Sequence, residues 1–206
     1  VISHDATAAK PSMAAVYSPV ARRFHWLTVA LVLVMIPLGL AMTYRGKTLD
    51  IWDTLTNSLY SAHKLIGFTL LWLMAGRLAY RLLHGAPSDE PTLLWWHRAG
   101  SHLVHWLLYG LLLIVPILGW IGVSLFPART IFDLFNLPAL TAPDEEMAKR
   151  VLNIHGWLAL GMALLIATHI AAVIYHRFIR RDGVLRRMWP GARESMLRKS
   201  GNGFSH

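Results

Sequence analysis

The chain has 206 residues, of which 55% are hydrophobic and only 15% charged, a balance too apolar for an ordinary soluble domain of this size. It contains no cysteine, which excludes disulfides, thiolate-bound zinc, iron–sulfur clusters and covalently attached c-type haem. The formal net charge of +9 resembles a nucleic-acid signal. However, 8 of the 20 lysines and arginines lie between Arg177 and Lys199, directly behind the last apolar block. A basic flank in that place serves topology and lipid headgroups, so no nucleic-acid partner is expected.

In chain order, residues 1–20 are rich in alanine and serine, with no apolar core and no cleavage context, and read as a flexible cytoplasmic lead. Four apolar blocks follow, at about 24–43, 58–83, 99–126 and 151–178. Each is long enough to cross a hydrocarbon layer of about 30 Å at about 1.5 Å per residue. Pro37 and Pro116 fall inside blocks one and three, where a membrane helix tolerates them with a bend. Tryptophan and tyrosine gather near the block ends (Trp26, Tyr44, Trp52, Trp95, Trp120 and Trp189 among them), as interfacial anchoring predicts. The expected fold is therefore an all-α membrane protein, a four-transmembrane-helix bundle over residues 21–190, with residues 191–206 as a basic cytoplasmic tail. Short loops make neighbouring helices antiparallel. Counting lysine and arginine by side gives fourteen against six and predicts that both termini are cytoplasmic. The third loop carries Asp133 and the acidic run Asp144–Glu146, and its Leu-Phe-Asn-Leu-Pro stretch is expected at the outer interface.

Eleven histidines in so apolar a chain need a reason, because an ionisable side chain inside a span is costly and marks function by default. The bland alternative for any one of them is a neutral imidazole bonded to a helix neighbour. His4 and His206 are terminal, and His84 and His97 read as solvated in the second link. His155 and His169 are 14 residues apart, about 1400° of helical turn, so they share a face about 21 Å apart along the axis. Two ligands on one face near opposite membrane surfaces suit two stacked haems. Depth alone then pairs His25 with His169 at the inner level and His63 with His155 at the outer. Bis-imidazole ligation fills both axial positions and favours electron transfer over oxygen chemistry. Gly67 and Gly156 would let a porphyrin edge approach the backbone, although close helix packing explains them equally well. His102 and His105, one turn apart on the third block, could compete with His25. A propionate or packing role ranks first for them, a quinone or proton role second and ligation third.

Several stretches resemble the prokaryotic cytochrome b561 family over about residues 18–190. They are Arg-Arg-Phe-His25-Trp, Ala-His63-Lys64-Leu-Ile-Gly67, Ser-His102-Leu-Val-His105-Trp, His155 with His169, Tyr-Arg45-Gly after the first block, and the closing Leu-Arg-Arg-Met-Trp-Pro. The resemblance implies two haems b held by His25, His63, His155 and His169, in a multi-pass protein of the bacterial inner membrane. It implies superoxide oxidase activity, with superoxide giving up an electron outside and ubiquinone reduced inside. It also implies a quinone site that includes His176 and the position two before the first ligand, here Arg23. Lys64 and Arg45, together with Lys47, are the candidates for steering the superoxide anion, Lys64 first. Related membrane cytochromes b instead anchor hydrogenases, dehydrogenases or c-type cytochromes. The competing expectation is such an electron-transfer subunit, docked through Leu134, Phe135 and Leu137 on the third loop. A histidine proton relay in a transporter or channel ranks below both.

Overall fold

A computed structural model describes residues 16–90 and 93–189. Most of the proposed lead, the tail beyond Trp189, and His4 and His206 lie outside the described residues. Four long helices make up the molecule: α1 (Pro19–Thr43), α2 (Thr54–His84), α3 (Trp95–Leu125) and α4 (Glu145–Tyr175). All four are long and apolar enough to span a membrane. Each packs chiefly on its neighbour in the chain, α1 on α2, α2 on α3 and α3 on α4.

The helices begin four to six residues before the apolar blocks, and polar caps start three of them, α1, α2 and α4. Ser18 accepts from the Ala21 N–H with Pro19 in the first turn, Asp53 from Thr56, and Asp144 from Met147. Glu145 and Glu146 then place negative charge at the N-terminal end of the α4 dipole. At the other end of two helices the winding loosens. Single π-helical turns, Tyr44–Thr48 and His176–Arg180, follow α1 and α4. Pro37 and Pro116 sit within α1 and α3, which run through them unbroken.

Large apolar side chains such as Leu33, Leu40, Trp72 and Leu164 are exposed along the spans, as a lipid-facing surface requires. The dry centre is small. Val32, Leu70, Met74 and Leu112 form it, with Met162 and Ile166 of α4 packed against them.

The third connection is not the plain loop expected from the sequence. Thr130–Ile131 (β1) and Phe135–Asn136 (β2) pair antiparallel, with Thr130 opposite Asn136 and Ile131 opposite Phe135. The Leu134 N–H closes a turn onto the Ile131 carbonyl, and Phe132 and Asp133 both take positive φ (49° and 57°) within it. Ile131 and Leu137 are buried beneath the hairpin, whereas Leu134 at its tip is 81% exposed. The Lys64 ammonium, from α2, donates to the Ala128 and Thr130 carbonyls and ties the hairpin down.

Gly122 marks the tightest approach of α3 to α4: a Cβ there would stand 2.7 Å from Leu152 Cγ. Gly122→Ala should therefore destabilise the bundle by about 1–3 kcal/mol through overpacking. Adding Leu152→Ala should restore much of the loss. Thermal unfolding in detergent followed by circular dichroism checks both, and additive losses in the double variant would contradict the contact.

Candidate functional site

At the end of the bundle that carries the hairpin, His63 of α2 and His155 of α4 face each other. Their ring centres are 6.2 Å apart and their planes 83° apart. Two imidazoles on opposite sides of one metal, each at a bond of about 2 Å, place their centres about 6 Å apart. The His155 Nδ1–H donates to the Val115 carbonyl at 2.8 Å, a bond that reserves Nε2 as the free lone pair. His63 Nδ1 is buried without a partner. Two glycines make room for the rings. A Cβ on Gly119 would lie 3.1 Å from His155 Cε1, and one on Gly39 would lie 3.4 Å from His63 Cε1. These, and not the Gly67 and Gly156 singled out in the sequence, touch the histidines. Gly67 faces Met35, and Gly156 has open space around it.

The opposite end, which carries the start of α1, the end of α4 and the α2–α3 link, gathers three imidazoles. His169 of α4 lies 5.3 Å, ring to ring, from His105 of α3. His25 of α1 is within electrostatic reach of both. Arg77 of α2 donates to His25 Nδ1 at 3.1 Å and lies over the Tyr109 ring at 5.1 Å. His105 is held by the Ser101 carbonyl at 2.7 Å, while His102 turns away to Asp89 at 3.1 Å. Of the adjacent pair, His105 stands in the cluster and His102 does not. Arg77 entered the sequence reading only as a flank charge. Its signal was its place two turns inside the end of an apolar helix, where a guanidinium must find a partner.

Imidazoles thus gather at both ends of a bundle of four helices that are long and apolar enough to span a membrane. The family model described as "Prokaryotic cytochrome b561" matches residues 16–191. The chain belongs to the prokaryotic cytochrome b561 family. It is 30% identical to cytochrome b561 homolog 1 of Escherichia coli K12 over 171 residues, 81% of this chain and 92% of that protein. It is 29% identical to homolog 2 of the same organism over 174 residues, 84% and 90% of the two chains. A probable superoxide oxidase, CybB, of Yersinia pestis is 24% identical over 180 residues, 86% and 97% of the two chains. Membership makes this a multi-pass bacterial membrane protein of electron transfer and implies haem b. The donor set fits that group: neutral imidazoles, one locked by a backbone carbonyl, against glycines that leave the rings space.

The remaining cytochrome b561 site candidates divide by their partners. Arg45 is engaged, with Nη2 on Asp53 at 2.6 Å and Nε on Thr56 Oγ1 at 3.0 Å. Lys64 serves the hairpin. Lys47 is exposed and within electrostatic reach of His155, a cation that the sequence ranked behind the other two. Arg23 is exposed on α1, while its neighbour Arg22 turns inward and donates to the Trp189 carbonyl at 2.8 Å. His176 does not end in solvent but bonds Asp182 at 2.6 Å. His97, expected in solvent, packs in the first turn of α3 against Trp96 and faces His176 at 5.6 Å.

Outside the spans, the Thr56 backbone N–H first and the Arg45 side chain second hold the Asp53 carboxyl at about 2, below its usual 3.8. A depressed carboxyl contributes stability above its unfolded pKa and loses it as pH falls through the folded value. Thermal stability should thus fall between pH 4 and about 2, and this part of the loss should be absent from Asp53→Asn. An identical acid profile in the two proteins would refute the assignment.

Proposed function

We propose that the chain is a dihaem cytochrome b that carries single electrons between superoxide on one side of the membrane and ubiquinone on the other. In this reading His63 and His155 hold one haem b, and His25 and His169 hold the second. The observation that carries it is the facing His63–His155 pair, with the Val115 carbonyl fixing His155 and a second imidazole cluster 14 residues further along α4. Haem b held by these histidines would supply an iron that accepts and releases one electron at a time. The basic flank assigns the end carrying the termini to the cytoplasm.

The chain's own residues set the conditions for the relay. Val32, Leu70, Met74 and Leu112 keep the space between the two levels dry. Arg77, already bonded to His25, is placed to offset the negative charge of propionates at that level. His105 packs against His169, ring to ring at 5.3 Å, and is the neighbour that would compete with His25 for the second haem. At the hairpin end Lys47, Lys64 and Arg45 face the direction from which superoxide arrives, and Lys47 is the one whose charge is not engaged in a hydrogen bond to the scaffold. The name of the Yersinia pestis relative supports the superoxide reading. His176 at the other end, with Arg23 on α1, is the proposed quinone site. The exposed Leu134 and half-exposed Phe135 on the hairpin favour a second reading, an electron-transfer subunit that receives electrons from a docked redox partner.

Three outcomes follow. Purified wild-type protein in lipid should reduce a soluble ubiquinone analogue when supplied with superoxide alone. A need for an added protein partner would select the second reading. Replacement of His63 or His155 by Ala should halve the haem content and remove one component of a redox titration, whereas His102→Ala should retain both. Lys47→Glu should slow superoxide-driven haem reduction about two- to fivefold at low salt, with the difference vanishing as ionic strength rises. An unchanged rate would remove Lys47 from the steering field.

A further inference from the structure

Beyond Tyr175 the chain passes through the π-helical turn His176–Arg180 and reverses at Arg181, which takes a left-handed conformation (φ 52°). The reversal folds Asp182 back onto the end of α4. The His176 Nδ1–H donates to Asp182 Oδ2 at 2.6 Å, with side chains only 13% and 6% exposed. Arg180 Nε lies 3.6 Å from the same oxygen, and the Val184 N–H donates to the other at 3.3 Å. On the α3 side the His97 ring faces His176, and its Nδ1 is buried without a partner. On the side of the α2–α3 link, Glu90 is 7% exposed and its Oε2 is likewise buried and unpartnered. Gly183, next to Asp182, lets that carboxyl in: a Cβ there would stand 3.3 and 3.4 Å from its two oxygens.

One buried oxygen of the Glu90 carboxyl and one buried ring nitrogen of His97 are left unpaired, a desolvation cost that nothing in the packing repays. Neither is needed to hold a haem in the reading above. Both flank a short imidazole–carboxylate hydrogen bond that fixes His176 Nδ1 as donor and leaves Nε2 to exchange a proton. The groups facing His176 are Tyr175 from the end of α4, Arg180 from its own turn, Asp182 from beyond the reversal and His97 from α3.

We propose that Glu90, Asp182, His176 and His97 form a proton-delivery path from the aqueous phase at this end of the bundle to a quinone reduced beside His176. The path rests on the proposed function, which supplies the acceptor. Two superoxide anions each lose one electron and leave as dioxygen. The two electrons and two protons drawn through this path convert one quinone to its quinol. Asp182 is a positioning residue: it holds the His176 ring in the tautomer that presents Nε2, and it stabilises the ring when it carries a second proton. Glu90 is the uptake group, its carboxyl lying against Gly183, the residue that follows Asp182 in the chain.

The test uses the dihaem protein in lipid nanodiscs, reduced beforehand and mixed rapidly with either a short-chain ubiquinone or ferricyanide, which takes electrons without protons. Asp182→Asn should slow haem oxidation by quinone roughly 10²-fold, because His176 loses the carboxylate that orients its ring and stabilises it when protonated, and with it its acid–base role. It should also change its pH profile and solvent isotope effect, while ferricyanide oxidation stays at the wild-type rate. Glu90→Gln should slow the quinone reaction in the same sense, and Asp182→Glu should recover much of the rate. Wild-type rates with quinone in both Asp182→Asn and Glu90→Gln would overturn the path alone. So would equal slowing with ferricyanide, since that marks damage to the fold. A wild-type protein whose haems are oxidised by ferricyanide but not by quinone would overturn the acceptor reading, and the path with it.

Discussion

Hydrocarbon offers no partner to a polar atom, so every donor and acceptor carried into the bundle must be met by the chain itself or by something it binds. The constraint explains the placement of almost every polar side chain described above. The His155 Nδ1–H takes the Val115 carbonyl, Lys64 takes two carbonyls of the hairpin, and Arg77 takes His25 and the face of Tyr109. Arg22 and Trp26 reach the carbonyls of Trp189 and Met188, which fastens the segment after α4 against α1. The few polar atoms that escape the rule, on His63, His97, Glu90 and Arg22, are correspondingly informative.

The two ends of the bundle answer that constraint differently. At the hairpin end one imidazole, His155, is held by the Val115 carbonyl, and both rings are set against glycines. At the other end the histidines are mixed with arginine and carboxylate, and the chain doubles back at Arg181 to bring Asp182 inward. Electron transfer to an acceptor that also takes protons needs both kinds of environment. The apolar centre between them keeps water from joining the two.

Much of this was legible in the residues. The spans, their number and their antiparallel order follow from block length, and the shared face of His155 and His169 follows from helical phase. The resemblance to the cytochrome b561 family rested on short stretches around those histidines, and the family match extends it over residues 16–191. What escaped lay in contacts between distant parts of the chain. No periodicity could reveal that Gly39 and Gly119 stand against His63 and His155. Nor could it show that His97 meets His176 across two helices, or that the third loop folds into a hairpin pinned by Lys64. Arg45 and Lys64 are likewise engaged by partners that sequence position does not disclose.

By itself, then, the sequence determined the membrane class, the four-helix order and the shared face of His155 and His169, because hydrophobic length and a fixed rise per residue are local properties. Tertiary structure decided which imidazoles meet, which cations are already engaged and which buried acids lack partners. Those depend on how neighbouring helices rotate about their axes, and that rotation is set by packing at places such as Gly122 against Leu152, which no single helix encodes.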